Sequence, residues 1–482
     1  MQGEILNWQN DHFLNRRSFL RQLSLAGLAA PFITRGLLAQ SPNSILRHAS
    51  FGAAGMAGGD IRSLTANKFV SLVAVAEVDL NRCAELKKQH PEVKIYQDWR
   101  ELLDKEAKNI DSVNVSTPDH MHAPIAMSAL QLGKHVYCQK PLTHDIYETR
   151  QLTLFAHGKK QVTQMGIQCH SSVEYRLAVQ YVQEGVIGKV KEVHTWSNKK
   201  WGDVAPRPDR SDPIPASFNW DLWLGIAAER PFIGEGYCHP ANWRKRLDFG
   251  TGTFGDMGCH IYDPVFNALA LTAPLSVRSE GPVPNAHNWA TDAVIHYVFP
   301  GTRFTEGKTV RVVWYDGDQR PPKEIQELLK VAPDSALRAA SAPEPKKKGR
   351  KSSATPKVQG ELRQLPAQGS IFIGTKGIML LPHPAKPELF PEKQYEDFQV
   401  PRLPALDHYA QFAQACIGQG KTSTHFDYAG ALTEAVLLGS VATRFPKTTL
   451  EWNAAQLKFN NVAEAGQYLR RTYRKGWEVK GL

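Results

Sequence analysis

Residues 112–143, SVNVSTPDHMHAPIAMSALQLGKHVYCQKPLT, constrain the fold of this chain more than any other stretch. Val113 and Val115 open a short apolar run, and Pro118 ends it because proline has no amide to donate to a sheet ladder. Ile125, Ala126, Ala129 and Leu130 then recur at helical spacing, and Gly133 stops the helix. His135–Cys138 reads as a second short strand. The order is strand, loop, helix, strand, which predicts an open α/β sheet. Ligands in such sheets bind outside the carboxyl ends of the strands. Gln139, Lys140 and Pro141 follow the second strand directly, so Lys140 stands where chemistry is expected.

Two motifs in this stretch, Thr117-Pro118-Asp119-His120-Met121-His122 and Gln139-Lys140-Pro141, carry a resemblance. The pair resembles the signature of the Gfo/Idh/MocA oxidoreductases, a TP-x-x-x-H loop followed after a helix by E-K-P. Gln139 stands where the family has Glu. A neutral amide can still hydrogen-bond a ribose hydroxyl, but it puts no carboxylate beside Lys140. The resemblance implies an N-terminal Rossmann domain with a doubly wound parallel sheet. A C-terminal α+β domain with an open, mostly antiparallel sheet should follow. It also implies that Gln139 and His122 position the nicotinamide ribose.

The first domain is expected over residues 44–168. A strand ends at Phe51, and residues 52–59 read GAAGMAGG. This is the place for a G-x-G-x-x-G turn, whose amides and helix N-terminus hold a pyrophosphate. Gly52 takes the first position, Ala54 the second and Ala57 the third, with a helix expected from Asp60. A plain glycine-rich turn fits the same residues. Within the resemblance, Gly52, Ala54, Gly55 and Met56 face the nucleotide. The next strand ends at Glu77, 25 residues after Gly52. An acid near that distance partners the ribose 2′-hydroxyl and repels a 2′-phosphate. NAD is therefore the expected cofactor, held tightly, while Arg82 nearby admits NADP. Ser116, Thr117, Pro118, His122, Gln139, Lys140 and Gln168 complete the expected cofactor contacts.

The second domain is expected over residues 169–482. Its chemistry concentrates in residues 250–263, GTGTFGDMGCHIYD. Asp256 and His260 are four apart and share a face if this segment is helical. A carboxylate there can orient an imidazole and raise its basicity. A helix-capping Asp and a core His fit the same spacing. The resemblance implies the first alternative, with Lys140, Asp256 and His260 catalytic. Together with Trp243 and Arg244 these three would form the substrate site. The spacing offers two metal ligands and no third, so no metal is expected. The tryptophans of residues 218–225 and 240–244 suit either sugar rings or core packing. Two late helices, residues 408–418 and 429–442, should return to pack on the first domain.

Asn15-Arg16-Arg17-Ser18-Phe19-Leu20-Arg21 precedes a moderately apolar run and resembles a twin-arginine export signal within residues 1–40. A folded, cofactor-loaded periplasmic protein would follow, with membrane contact only if the signal is retained. The formal charge of +11 is partly local. Lys346, Lys347, Lys348, Arg350 and Lys351 lie in a Pro/Ser/Ala-rich stretch expected to be a flexible insertion over residues 340–368, and no nucleic-acid platform accompanies them. The expected activity is hydride transfer at a ring carbinol of a sugar or cyclic polyol, in a dimer or tetramer. Two alternatives stay open. One is an NAD-dependent glycoside hydrolase working through transient oxidation and elimination. The other is a non-catalytic sugar-binding member, favoured by Ala54 and Gln139.

Overall fold

The computed structural model describes residues 45–330 and 364–482. The twin-arginine segment and most of the basic insertion lie outside the described residues. Six parallel strands form the first sheet: β1 (Leu46–Phe51), β2 (Val70–Ala76), β3 (Lys94–Tyr96), β4 (Ser112–Val115), β5 (His135–Cys138) and β6 (Thr163–Met165). Their order is β3-β2-β1-β4-β5-β6. The connections are helices α1 (Met56–Thr65), α2 (Ala84–Gln89), α3 (Trp99–Glu106), α4 (His122–Gln131) and α5 (Ile146–Ala156). All four β4 residues are buried, as expected of a parallel strand with both faces covered. The chain order reverses between β1 and β4, which places the topological switch point at Gly52 and Ser116.

The helix after β1 starts at Met56, not at Asp60 as the sequence suggests. Gly55 takes a positive φ of 61° and turns the chain so that the next residues can wind at once. Gly58, a poor helix former, is used for closeness: a Cβ there would lie 3.2 Å from the Ala53 carbonyl.

α6 (Val173–Gln183) leads into a second, nine-stranded sheet of β7 (Val190–Ser197), β8 (Ser276–Ser279), β9 (Val294–Pro300), β10 (Thr309–Asp316), β11 (Gln368–Gly374), β12 (Ile378–Pro382), β13 (Glu388–Phe390), β14 (Thr449–Asn453) and β15 (Lys458–Phe459). Its order is β13-β12-β11-β7-β10-β9-β8-β14-β15. β7 and β10 pair in parallel, and the other adjacent strands pair antiparallel. Helix α7 (Gly252–Leu269) covers this sheet through Phe254 and Tyr262, which pack against Tyr297 and Trp314. The late helices α8 (His408–Cys416) and α9 (Phe426–Ala442) return to the first sheet's helices. Tyr409 of α8 donates to Asp60 of α1 at 2.8 Å. Arg150 of α5 grips Glu434 of α9 with two nitrogens, at 2.6 and 2.7 Å. Paired Arg–carboxylate bonds of this kind fix geometry as well as energy. The six cysteines are free thiols.

Candidate active site

A cavity of about 390 Å³ opens at the carboxyl edge of the first sheet. It runs from Glu77 and Arg82, past Gly52–Met56 and Ser116–Asp119, to Lys140 and Arg244. The loop carrying His239, Ala241 and Trp243 closes it from the second domain.

One end is built from backbone. Gly52 has φ 103°, and a Cβ there would sit 2.8 Å from the Ser116 carbonyl. No side chain caps α1, so the amides of its first turn are open to an anion. The glycines that shape the turn are 52, 55 and 58, three apart. Ala54 is part of the cavity wall. Glu77 lines the cavity but is already engaged, accepting from the Ala53 amide at 3.0 Å and the Asp79 amide at 3.1 Å. Burial raises its pKa against these bonds.

Asp60 escaped the sequence reading. It is fully buried and gathers four hydrogen bonds: from Ser116 at 2.6 Å, from the Gln139 amide at 2.9 and 3.0 Å, and from Tyr409 at 2.8 Å. Burial raises its pKa, and these donors work the other way. The signal was present, since Asp60 interrupts the apolar stripe of Ala57, Ile61 and Leu64 on α1. Gln139 lines the cavity, but its amide nitrogen belongs to Asp60. Gln168 corrects an expectation: it donates to Tyr409 at 3.0 Å and is not part of the lining. His122 lies between the Pro141 carbonyl at 2.7 Å and the Thr117 carbonyl at 2.9 Å. It therefore ties the two motif loops together. Thr117 lines the cavity, and its hydroxyl is buried with no partner among the described residues.

The other end is built from charged side chains. Lys140 Nζ donates to Asp256 Oδ1 at 2.7 Å and to the Asp256 carbonyl at 2.6 Å. Arg244 Nε reaches the same Oδ1 at 3.0 Å. Burial acts to raise the Asp256 pKa, but Lys140 and then Arg244 outweigh it and hold the carboxyl well below its usual range. This corrects the expected Asp256–His260 pair. A carboxylate with two cations in reach binds them, since charge–charge attraction exceeds that of a neutral imidazole. His260 sits one turn further along α7, outside the cavity lining, with its ring 5.8 Å from that of His383. Its Nδ1 is buried without a partner among the described residues. Burial, then Lys140 and His383, lower its pKa well below the ordinary value.

Arg244 stacks over Trp243 at 4.2 Å. Trp223 and Trp243 border the cavity yet belong mainly to a buried cluster with Phe218, Trp220 and Phe249. Packing is their first role.

Residues 46–167 match the oxidoreductase family with the NAD-binding Rossmann fold, and residues 180–323 match its C-terminal alpha/beta domain. The chain belongs to the Gfo/Idh/MocA oxidoreductase family. Among curated members, levoglucosan dehydrogenase of Pseudarthrobacter phenanthrenivorans is 25% identical over 39% of this chain and 40% of its own. Inositol 2-dehydrogenase of Salmonella typhimurium is 30% identical over 29% of this chain and 42% of its own. The chain thus matches about two-fifths of these relatives' length. Among solved structures, levoglucosan dehydrogenase in complex with NADH and L-sorbose superposes with a TM-score of 0.53 at 14% identity, over 85% of this chain and 99% of the other. The WlbA dehydrogenase of Bordetella pertussis gives a TM-score of 0.56 at 11% identity, over 85% and 98%. At these identities the likeness is one of fold.

The residues present in this Gfo/Idh/MocA cavity fit a dinucleotide. The Gly52 cradle admits no Cβ, the α1 amides are open, and the buried Thr117 hydroxyl lacks a partner.

Proposed function

We propose that the protein is an NAD(H)-dependent oxidoreductase of a sugar or cyclic polyol, acting at a ring carbinol. The observation that carries this reading is a single cavity with a glycine cradle at one end and Lys140 at the other. NAD supplies a hydride acceptor when bound. The α1 amides hold its pyrophosphate, and Glu77 accepts from a ribose hydroxyl with lone pairs left free by its two backbone bonds. The acid favours NAD over NADP. Lys140 binds the reacting oxygen and stabilises its developing negative charge. His260, kept neutral and one turn behind Asp256, is the base for the hydroxyl proton. Asp256 holds Lys140 in place, and Arg244 on its tryptophan plane meets the sugar's remaining hydroxyls. Arg16 and Arg17 support export by the twin-arginine route with the nucleotide loaded beforehand, and the second-domain sheet is the surface for a dimer or tetramer.

The test is NADH formation by the full chain against a panel of free sugars, cyclic polyols and aryl glycosides. Absorbance growth with a free sugar or polyol, lost in His260→Ala, supports the reading. Glycoside cleavage without net NADH would transfer the same residues to the hydrolase alternative. No turnover and no nucleotide binding would remove both.

A further inference from the structure

A second cavity, of about 300 Å³, lies between residues 144–146, residues 247–251, α9 and residues 467–471, outside the nucleotide site. Its walls carry cationic and donor groups left over from other bonds. Arg444 lines it with no carboxylate in salt-bridge range among the described residues, its guanidinium held over Tyr468 at 4.4 Å and Trp289 at 5.3 Å. Arg471 Nη1 is buried without a partner among the described residues. The rest of its guanidinium is partly engaged, by the Asp248 carbonyl at 2.9 Å and by ion pairs with Asp145 and Asp248 at 3.8 Å. Among the described residues, the hydroxyl of Ser440, 6% exposed, has no partner. Nor, among them, does Nε2 of His144, whose side chain is 8% exposed. Arg470 stands at the rim over Tyr147.

Buried donors without acceptors are costly, and native proteins rarely leave several around one space. Two acids share the wall and offset part of this charge. Asp248 is bound to Arg230, outside the lining, at 2.5 Å. Asp145 Oδ1 is 3.0 Å from His144 Nδ1, and its buried Oδ2 stands 3.8 Å from Arg471 Nε. Arg444 has no carboxylate in salt-bridge range among the described residues, so the cations stay in excess. The cavity exceeds what an inorganic ion fills, and Tyr468 offers an aromatic plane beside the charge.

We propose that this cavity binds a small sugar acid or sugar phosphate. Its oxyanion sits between Arg444 and Arg471, and Ser440 and His144 complete the hydrogen bonds. Carboxylate and phosphate share this chemistry, since arginine forks match both. Thr251 lines the cavity and also donates to Asp119 of the nucleotide site at 2.8 Å, which places the two sites one residue apart.

The test is calorimetric titration of the full chain with glucuronate, glucose 6-phosphate, inorganic phosphate and neutral glucose. Saturable binding of glucuronate or glucose 6-phosphate that depends on Arg444 is expected, with no Arg444-dependent binding of glucose, and the better of the two names the oxyanion. Arg444→Gln should weaken it at least about tenfold, because a charge-assisted pair is lost. Ser440→Ala, a small change that keeps the packing, should weaken it about threefold. Absence of saturable binding would overturn the proposal, as would binding unchanged in both variants. Binding that survives Arg444→Gln but disappears in Arg82→Gln would place the anion in the nucleotide cavity and also overturn it.

Discussion

The two ends of the nucleotide cavity are made in different ways. At the glycine end, polar groups face main chain: Glu77 holds the Ala53 and Asp79 amides, and Gly52 exists to let Ser116 approach. At the chemical end, charged side chains face one another: Lys140 and Arg244 share one carboxylate, Asp256, and one positive charge is left over. A backbone cradle is ready before its ligand arrives. An ion triad must be partly re-partnered when a substrate enters. Binding of nucleotide and chemistry on substrate should therefore respond to different substitutions.

The largest effect tests that separation. Lys140→Met should lower turnover by about 10³-fold, the scale for removing a preorganised electrostatic group. Arg244 stays as a partner for Asp256, so nucleotide affinity should hold within about twofold, measured by NADH fluorescence titration. A matching loss of affinity would mean that the two ends of the cavity act as one unit. Gly52→Val is the converse. It combines a φ of 103° with a 2.8 Å contact to Ser116. Strain of about 1–3 kcal/mol should cost about tenfold to a hundredfold in NADH affinity on the same titration.

Gln139→Glu sharpens the account of the Asp60 cluster. It would put a second carboxylate about 3 Å from one already raised by burial. Below the ordinary carboxylate range both acids are neutral, folded or unfolded, and no penalty exists. As pH rises past that range the unfolded chain ionises first, so stability falls until the raised folded pKa is passed. The loss should be on the order of 2 kcal/mol at about pH 8 and near zero at about pH 4 by urea denaturation. Asp60→Asn in the same chain should restore it. Equal loss at both pH values would point to packing instead.

The smallest effect concerns His260. Because its pKa is depressed, the neutral base is already the dominant form at neutral pH. Turnover should fall only as pH drops below about 6.5, the ordinary histidine value, with less than about a twofold change between pH 7 and 8. A pH–rate limb above about 7 would contradict that environment.

Periodicity made the fold legible. β5 has the ends that its apolar run predicts, and the parallel sheet follows from strand–helix alternation. The motif loops were legible too, because Pro118, Gly133 and Lys140 leave local signatures. What stayed hidden were side-chain partners. Asp60 looked like a helix start because the turn of Gly55 cannot be read from composition. Asp256 and His260 do share a helix face, but spacing says nothing of Lys140 and Arg244 arriving from elsewhere in the chain. The tryptophans advertised a sugar platform, and a buried cluster claimed most of them.

The most direct measurement uses the full chain purified without added cofactor, denatured, with any released nucleotide identified by mass, followed by NADH titration of the native protein. About one NAD per chain is expected, or an empty protein that binds NADH and loses that binding in Gly52→Val. A protein that releases no nucleotide and binds none would contradict it.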